Sequence, residues 1–142
     1  MGETLIRLRA DAASTAPVVP FADLGDHSNA RAVRVMPGDD ARALLPLLEQ
    51  LDLIEVAFPA YTDGRGYSAA RILREYGYTG ELRAVGDVLV DQISHYHRCG
   101  FDAFVPDQPI SRAAVDKAIA TWPAVYQRTV DGRTPIWALR HG

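Results

Sequence analysis

The sequence predicts an α/β protein built on a four-stranded parallel sheet of repeated βα units, half-barrel-like, with a doubly wound open sheet as the alternative. Three observations carry that expectation. From Ala32 onward, short β-branched runs alternate with helical spacings, the pattern of βαβ units around a parallel sheet. The stretches REYGYTG and HRCGFDA each place a glycine after the last helical turn and an aromatic after the glycine, as a left-handed helix stop requires. Aligned by their exits, three neighbouring strands put Arg34, Glu55 and Arg83 on one face at similar height. A sheet covered by helices on both sides wants both faces apolar, whereas the inner face of a barrel-like sheet can carry polar groups near its mouth.

Residues 1–31 read as an irregular segment rich in Ala, Ser, Pro, Asp and Gly, with TLIRLR as a possible short strand. The core spans residues 32–122. RAVRVM is the first strand and stops at Pro37-Gly38; DDARALLPLLEQL follows with helical spacing at Leu44, Leu47, Leu48 and Leu51. Pro46 lies inside that helix and should kink or restart it, because proline lacks the backbone donor. LIEVAF is the second strand and GYSAARILREY its helix. LRAV and DVLVDQISHYHRC form the third unit, DAFV and ISRAAVDKAIATW the fourth. Residues 123–142 read as a C-terminal strap or hairpin around the Asp131-Gly132 turn. By period two, Val33, Val35, Ile54, Val56, Phe58, Leu82, Ala84 and Phe104 share one face of the sheet. Four strands cannot close a barrel, so the bare face and the edges need cover from the termini or from a second copy in a homodimer.

The chain has 142 residues, 48% apolar and 23% charged, with a net charge of −3. That balance argues against nucleic-acid binding, which calls for a basic surface. No apolar run is long enough to span a membrane, and the N-terminal stretch lacks the apolar region of a signal peptide. The single cysteine, Cys99, rules out an internal disulfide and suits a cytoplasmic setting. At a helix C-terminus, Cys99 reads as a small buried hydrophobe, with a redox role needing a second thiol from elsewhere.

The strand exits MPGD, FPAYTD, VGD and VPD bring Asp39, Asp63, Asp87 and Asp107 to one pole. Each reads first as a helix N-cap; Asp63 and Asp87 are also the candidates for a general base. In TDGRGYS, Gly64 and Gly66 flank Arg65 just before a helix. Freed backbone N–H groups at a helix start bind anions, and Arg65 could add a forked donor; the alternative is a glycine-permitted turn with a solvated arginine. Arg83 and Arg34, with Glu55 between them, are candidate anion-binding groups at the mouth, or else a salt-bridged internal layer. Asp87, Asp91 and His95 share a helix stripe, but they are spread over about 12 Å and cannot converge on one ion, so no metal site is expected. No cofactor is expected either: flavin and nicotinamide fingerprints and iron–sulfur cysteine clusters are missing from the sequence.

The segments DGRGYS, LRAVGDV and RCGFDAF resemble a bacterial family catalogued as domain of unknown function 934, over about Ala32 to Trp122. Members are commonly labelled oxidoreductases of sulfite reduction, a label that follows the genes found beside theirs. The resemblance assigns no catalytic residues. It implies an accessory protein of assimilatory sulfite reduction that binds a small oxyanion or a partner enzyme, sulfite reductase or a related sulfur-assimilation enzyme, with any redox cofactor supplied by that partner. Two other readings stay open. One is a barrel-type enzyme with an Asp63 or Asp87 base and Arg83 as anion stabiliser. The other is a non-catalytic oligomeric scaffold with the charge row as its internal contact.

Overall fold

A computed structural model describes residues 5–60 and 64–120. The chain folds as a mixed α/β structure around a six-stranded, mostly parallel sheet of order β1-β6-β5-β4-β3-β2. The strands are β1 (Ile6–Arg7), β2 (Val18–Pro20), β3 (Ala32–Val35), β4 (Leu53–Phe58), β5 (Glu81–Gly86) and β6 (Ala103–Pro106). Strands β3 to β6 are the four expected βα strands, parallel and in sequential order. The expected count of four needs correction. The N-terminal segment adds β2, parallel to β3 at one edge, where irregular structure was expected, and β1, antiparallel to β6 at the other, inside the TLIRLR stretch read as a possible short strand.

The helices are α1 (Arg65–Glu75), α2 (Ile93–Cys99) and α3 (Arg112–Ala120). The segment after β3 forms a 3-10 turn, Ala41–Leu47, with Pro46 inside it, in place of an α-helix. The long third helix is also shorter than its pattern, since Val90–Gln92 is a 3-10 turn and α2 starts only at Ile93. Both glycine stops form. Gly77 and Gly100 have φ of 99° and 117°. Tyr78 N–H reaches back to Leu73 O and Phe101 N–H to Tyr96 O, and both aromatics are buried. The C-terminal strap expected over residues 123–142 lies outside the described residues.

All eight strand residues expected to share a face belong to one core with Leu44, Ala69, Ala70, Leu73, Ile93, Tyr96 and Val115 from the helical layer. The buried residues of opposite parity, Ala32, Leu53, Ala103 and Val105, stand outside that core. The helical layer thus packs on one side of the sheet.

The strand starts are tied together by the N-terminal segment. Residues 8–17 join β1 at one edge to β2 at the other. Six strands at about 4.8 Å spacing are about 24 Å wide, and ten extended residues reach about 33 Å, so the segment can cross the sheet with little slack. Its anchor is Arg9, which donates to Thr79 O and to Asp102 Oδ2. Asp102 is buried and also accepts from Arg74 and from Leu82 N–H. Asp11 accepts from both Arg7 and Arg9; the Arg9 fork holds its carboxyl well below the ordinary carboxylate range.

At the end of β5, Gly86 has φ of 116°, and a Cβ there would lie 2.5 Å from Phe58 O. Gly86→Ala is expected to lower stability by about 1–3 kcal/mol, measurable as a drop in urea midpoint at unchanged slope.

Candidate functional site

Two places hold the residues singled out from the sequence, and they are different places. The first is the side of the sheet that the helical layer does not cover. Arg34, Glu55 and Arg83 are register partners in β3, β4 and β5, so they share one face as expected. Continuing that row, Arg83 faces Ala103 and Ala103 faces Arg7.

The side chains form a continuous alternating series. Arg7 Nε donates to Glu81 Oε1 at 2.7 Å. Arg83 Nε donates to Glu81 Oε2 at 2.9 Å, and its Nη1 to Glu55 Oε2 at 3.2 Å. Arg34 Nε and Nη2 both donate to Glu55 Oε1, at 2.9 and 2.7 Å. Glu55, Glu81 and Arg83 are all at least nine-tenths buried, whereas the Arg34 side chain is 44% exposed. Every carboxylate oxygen in the series serves an arginine. Arg83 is therefore committed twice over inside the layer, as the salt-bridge reading anticipated, and offers little to an incoming anion. Glu81 and Arg7 were missed in the sequence. Glu81 shares strand parity with Arg83 and was legible by that rule; Arg7 is brought in only by the antiparallel pairing of β1.

The second place is the pole where the parallel strands end. Asp63 lies outside the described residues. Arg65 opens α1, which has no side-chain cap from Gly64. Its guanidinium lies toward the β3 exit, beside Gly38, and lines a cavity of about 190 Å³ with Asp39 and Asp40. Those two aspartates hold the loop: Asp39 accepts from Met36 N–H, and Asp40, rather than Asp39, caps the following turn through Arg42 N–H. Asp87 follows β5, with its N–H on Phe58 O. Arg65 and Asp87 are thus at the pole, while Arg34, Glu55 and Arg83 are on the sheet face, and the structure does not bring the two sets together.

Between α1, α2 and the end of β4 lies an aromatic cluster that the sequence did not announce. Gly66 lets α1 start directly on Phe58, since a Cβ there would sit 2.5 Å from the ring. Phe58 packs edge-on against Tyr96, with centroids 5.1 Å apart, and Tyr67 lies 5.1 Å from Tyr96 and 4.5 Å from His95. Tyr96 is fully buried, and among the described residues its Oη makes no hydrogen bond of normal geometry, the Tyr67 phenol standing close enough to act on it. A buried hydroxyl without a partner costs about 1–3 kcal/mol, so it marks a place where one is missing. Burial raises the Tyr96 phenol far above its ordinary pKa, and the Tyr67 phenol and the Asp87 charge add to the shift. Burial likewise raises Tyr67. Both phenols are protonated donors at neutral pH. Burial lowers the pKa of His95, as do the Arg98 and Arg71 charges, which leaves a neutral imidazole. His95 Nδ1 faces Arg98 at 3.3 Å and Nε2 faces the buried Cys99 Sγ at 3.9 Å.

A cavity of about 500 Å³ is at the opposite pole, between the crossing N-terminal segment and the strand starts. Its arginines, Arg7 and Arg9, are engaged by Asp11, Glu81 and Asp102, and none of the candidate site residues named from the sequence lines it. Among the described residues no three His, Cys, Asp or Glu side chains gather as a metal site, and no helix is long and apolar enough to cross a membrane.

The sequence model of a family described as a bacterial protein of unknown function, DUF934, matches residues 32–137. The match covers well over half of the chain and runs beyond Trp122, so most of the C-terminal tail falls inside the family region. No curated protein and no solved structure matches the chain.

Removing one member of the buried charge series leaves its partners unpaired. Glu55→Ala is expected to destabilise the fold by about 3–5 kcal/mol, read from chemical unfolding. Arg34→Ala is expected to cost less, about 1–3 kcal/mol, because buried Glu55 Oε1 loses both of its donors while Oε2 keeps Arg83.

Proposed function

The chain belongs to the bacterial DUF934 family, and from that premise we propose that it is an accessory protein of assimilatory sulfite reduction that holds a small sulfur oxyanion at the C-terminal pole of its sheet. The observation that carries this reading is the buried Tyr96 Oη, which makes no hydrogen bond of normal geometry among the described residues. It lies in the cluster formed with Tyr67, which is in the first turn of α1, and with Phe58 at the end of β4. A helix start turns its N–H groups and the positive end of its dipole toward a ligand. Tyr67 and Tyr96 add neutral hydroxyl donors held protonated by burial. A pyramidal oxyanion would accept from these donors. The nearby Asp87 carboxylate favours a ligand that still carries a proton, hydrogen sulfite over sulfite, because that proton can be donated to Asp87.

The sulfur assignment rests on the family resemblance; the anion site rests on geometry. One-sided packing of the helical layer supports the half-barrel-like description of β3 to β6, in which functional groups collect where the strands end. Arg83 and Glu55 then serve as framework. An enzyme using Asp87 as base would use the same pole and the same phenols. A second copy in a homodimer would meet the sheet face instead.

Tyr96→Phe tests the reading, because the hydroxyl it removes has at most the neighbouring Tyr67 phenol to lose. It is expected to leave stability unchanged or raised by up to about 1 kcal/mol. Wild-type protein in sulfite at about a hundred times Kd gains about 2.7 kcal/mol, a rise of several degrees in Tm, larger at pH 6 than at pH 8. Tyr96→Phe should lose most of that rise, and Arg83→Met should retain it on its own lower baseline. A sulfite response equal to that of chloride at matched ionic strength, or one untouched by Tyr96→Phe, rules the site out.

A further inference from the structure

We propose that the pocket between β1, α2 and α3 is the seat of the chain's own segment after α3, and that Trp122 is the side chain that fills it. The pocket holds about 350 Å³ and is lined by Leu8, His97, Asp116, Ile119 and Ala120. Leu8 follows β1, His97 lies in α2, and the other three belong to α3. Three of the five are apolar, and Leu8 and Ile119 both pack on the edge of the core. The pocket is thus an open place in the side of the core, next to an edge strand of the sheet. Apolar walls of this kind gain from being covered.

The sequence of α3 says what covers them. Val115, Ala118 and Ile119 form its apolar stripe, at i, i+3 and i+4, fully buried at Val115 and half-buried at the other two. The next position of that stripe, i+7, is Trp122. α3 ends at Ala120, which is itself a wall of the pocket. The chain therefore leaves the helix at the pocket, and two residues of backbone reach only about 7 Å from that wall to Trp122. The family match runs to residue 137, so this segment belongs to the family's own region. Other occupants fit less well. A second copy or a separate protein gives up translational and rotational freedom on binding, whereas a side chain tethered this closely is present at an effective concentration on the order of millimolar or more. Trp137 lies much further along the chain and has no such tether to this wall. The seat also has a structural use. Arg112, at the start of α3, donates to Arg7 O, so α3 already holds β1 at one point. Trp122 against Leu8 holds the same edge from the other end of α3, and with it the place of Arg7 beside Glu81.

Both tryptophans of the chain, Trp122 and Trp137, follow α3, so indole signals report on this segment alone. The test uses the full chain with methyl-labelled leucine, isoleucine and valine. NMR should show nuclear Overhauser contacts from the Trp122 ring to the methyl groups of Leu8 and Ile119, and Trp137→Phe should retain them. In Trp137→Phe the remaining indole should be quenched by acrylamide several-fold less than in urea-unfolded protein. Trp122→Ala should let a paramagnetic solvent probe relax the Leu8 and Ile119 methyls several-fold more than in wild type, with the buried Val115 methyls unchanged. Missing contacts in wild type, contacts from Trp137 in their place, or quenching equal to that of the unfolded chain overturns the proposal, whether or not Trp122→Ala folds. So do contacts seen only between copies in a mixture of labelled and unlabelled protein, which would give the pocket to a second copy. Equal relaxation of both methyls in wild type and Trp122→Ala overturns it too, and would leave the pocket open to a separate protein.

Discussion

The carboxylates of Glu55 and Glu81 are the constraint on which the sheet depends. Glu55 lies within β4 and Glu81 opens β5, both on the side that the described helices do not cover, and each is shared by two arginines from different strands. A buried carboxylate alone would cost several kcal/mol in lost hydration. Shared between two guanidiniums, it instead fixes which residues of β3, β4, β5 and β1 stand opposite one another. A slip of one residue in β3 would move Arg34 to the apolar side, and a slip in β4 would move Glu55 there, either way leaving its partners unpaired. The apolar core would tolerate some rearrangement of side chains; the charge series specifies a single register.

The N-terminal segment completes the same logic at the strand starts. Asp102 receives Arg9 from the crossing segment, Arg74 from α1 and the N–H of Leu82 from β5. It therefore joins three parts of the chain that are far apart in sequence. Arg74 also donates to the carbonyls of Tyr78, Gly80 and Gly100, so the ends of α1 and α2 and the start of β5 are held by one guanidinium. That arrangement explains why β1 and β2 can be so short. Two or three residues make a weak strand by themselves, but here the segment between them is already anchored under the sheet.

Much of this was legible in the sequence, and the part that was not has a physical cause. Period two placed the core-facing residues of β3 to β6 correctly, and it placed Arg34, Glu55 and Arg83 on the other side, because each strand is long enough to show the alternation. Gly77 and Gly100 were legible because a helix stop is a local device. The edges were legible only in part: TLIRLR read as a possible strand and holds Ile6–Arg7, whereas Val18–Pro20 is a strand only through pairing with β3, and its surroundings of Ala, Ser and Pro carry no periodic signal. Pro46 pointed to trouble in its helix, but the choice of 3-10 geometry depends on packing. The pairing state of Arg83 was open for a similar reason. Its second carboxylate, Glu81, is two residues away in sequence, whereas the competition between Glu55, Glu81, Arg7 and Arg34 exists only once four strands are assembled. Tyr96 looked like one more apolar helix position, and nothing local says whether a buried hydroxyl will find a partner.

The contrast between the two faces of this problem bears on where function resides. A polar group that has its partners contributes to the fold, and changing it changes stability first. A polar group buried without a partner contributes nothing to the fold and costs free energy in the absence of a ligand. The charge series on the sheet belongs to the first kind, despite its resemblance to an anion site in the sequence. Tyr96 Oη belongs to the second kind, and it lies where parallel sheets collect ligands, at the strand ends beside a helix start. A protein of this size can thus keep its structural charges and its buried phenols in separate places, and a substitution can alter one of these with limited effect on the other.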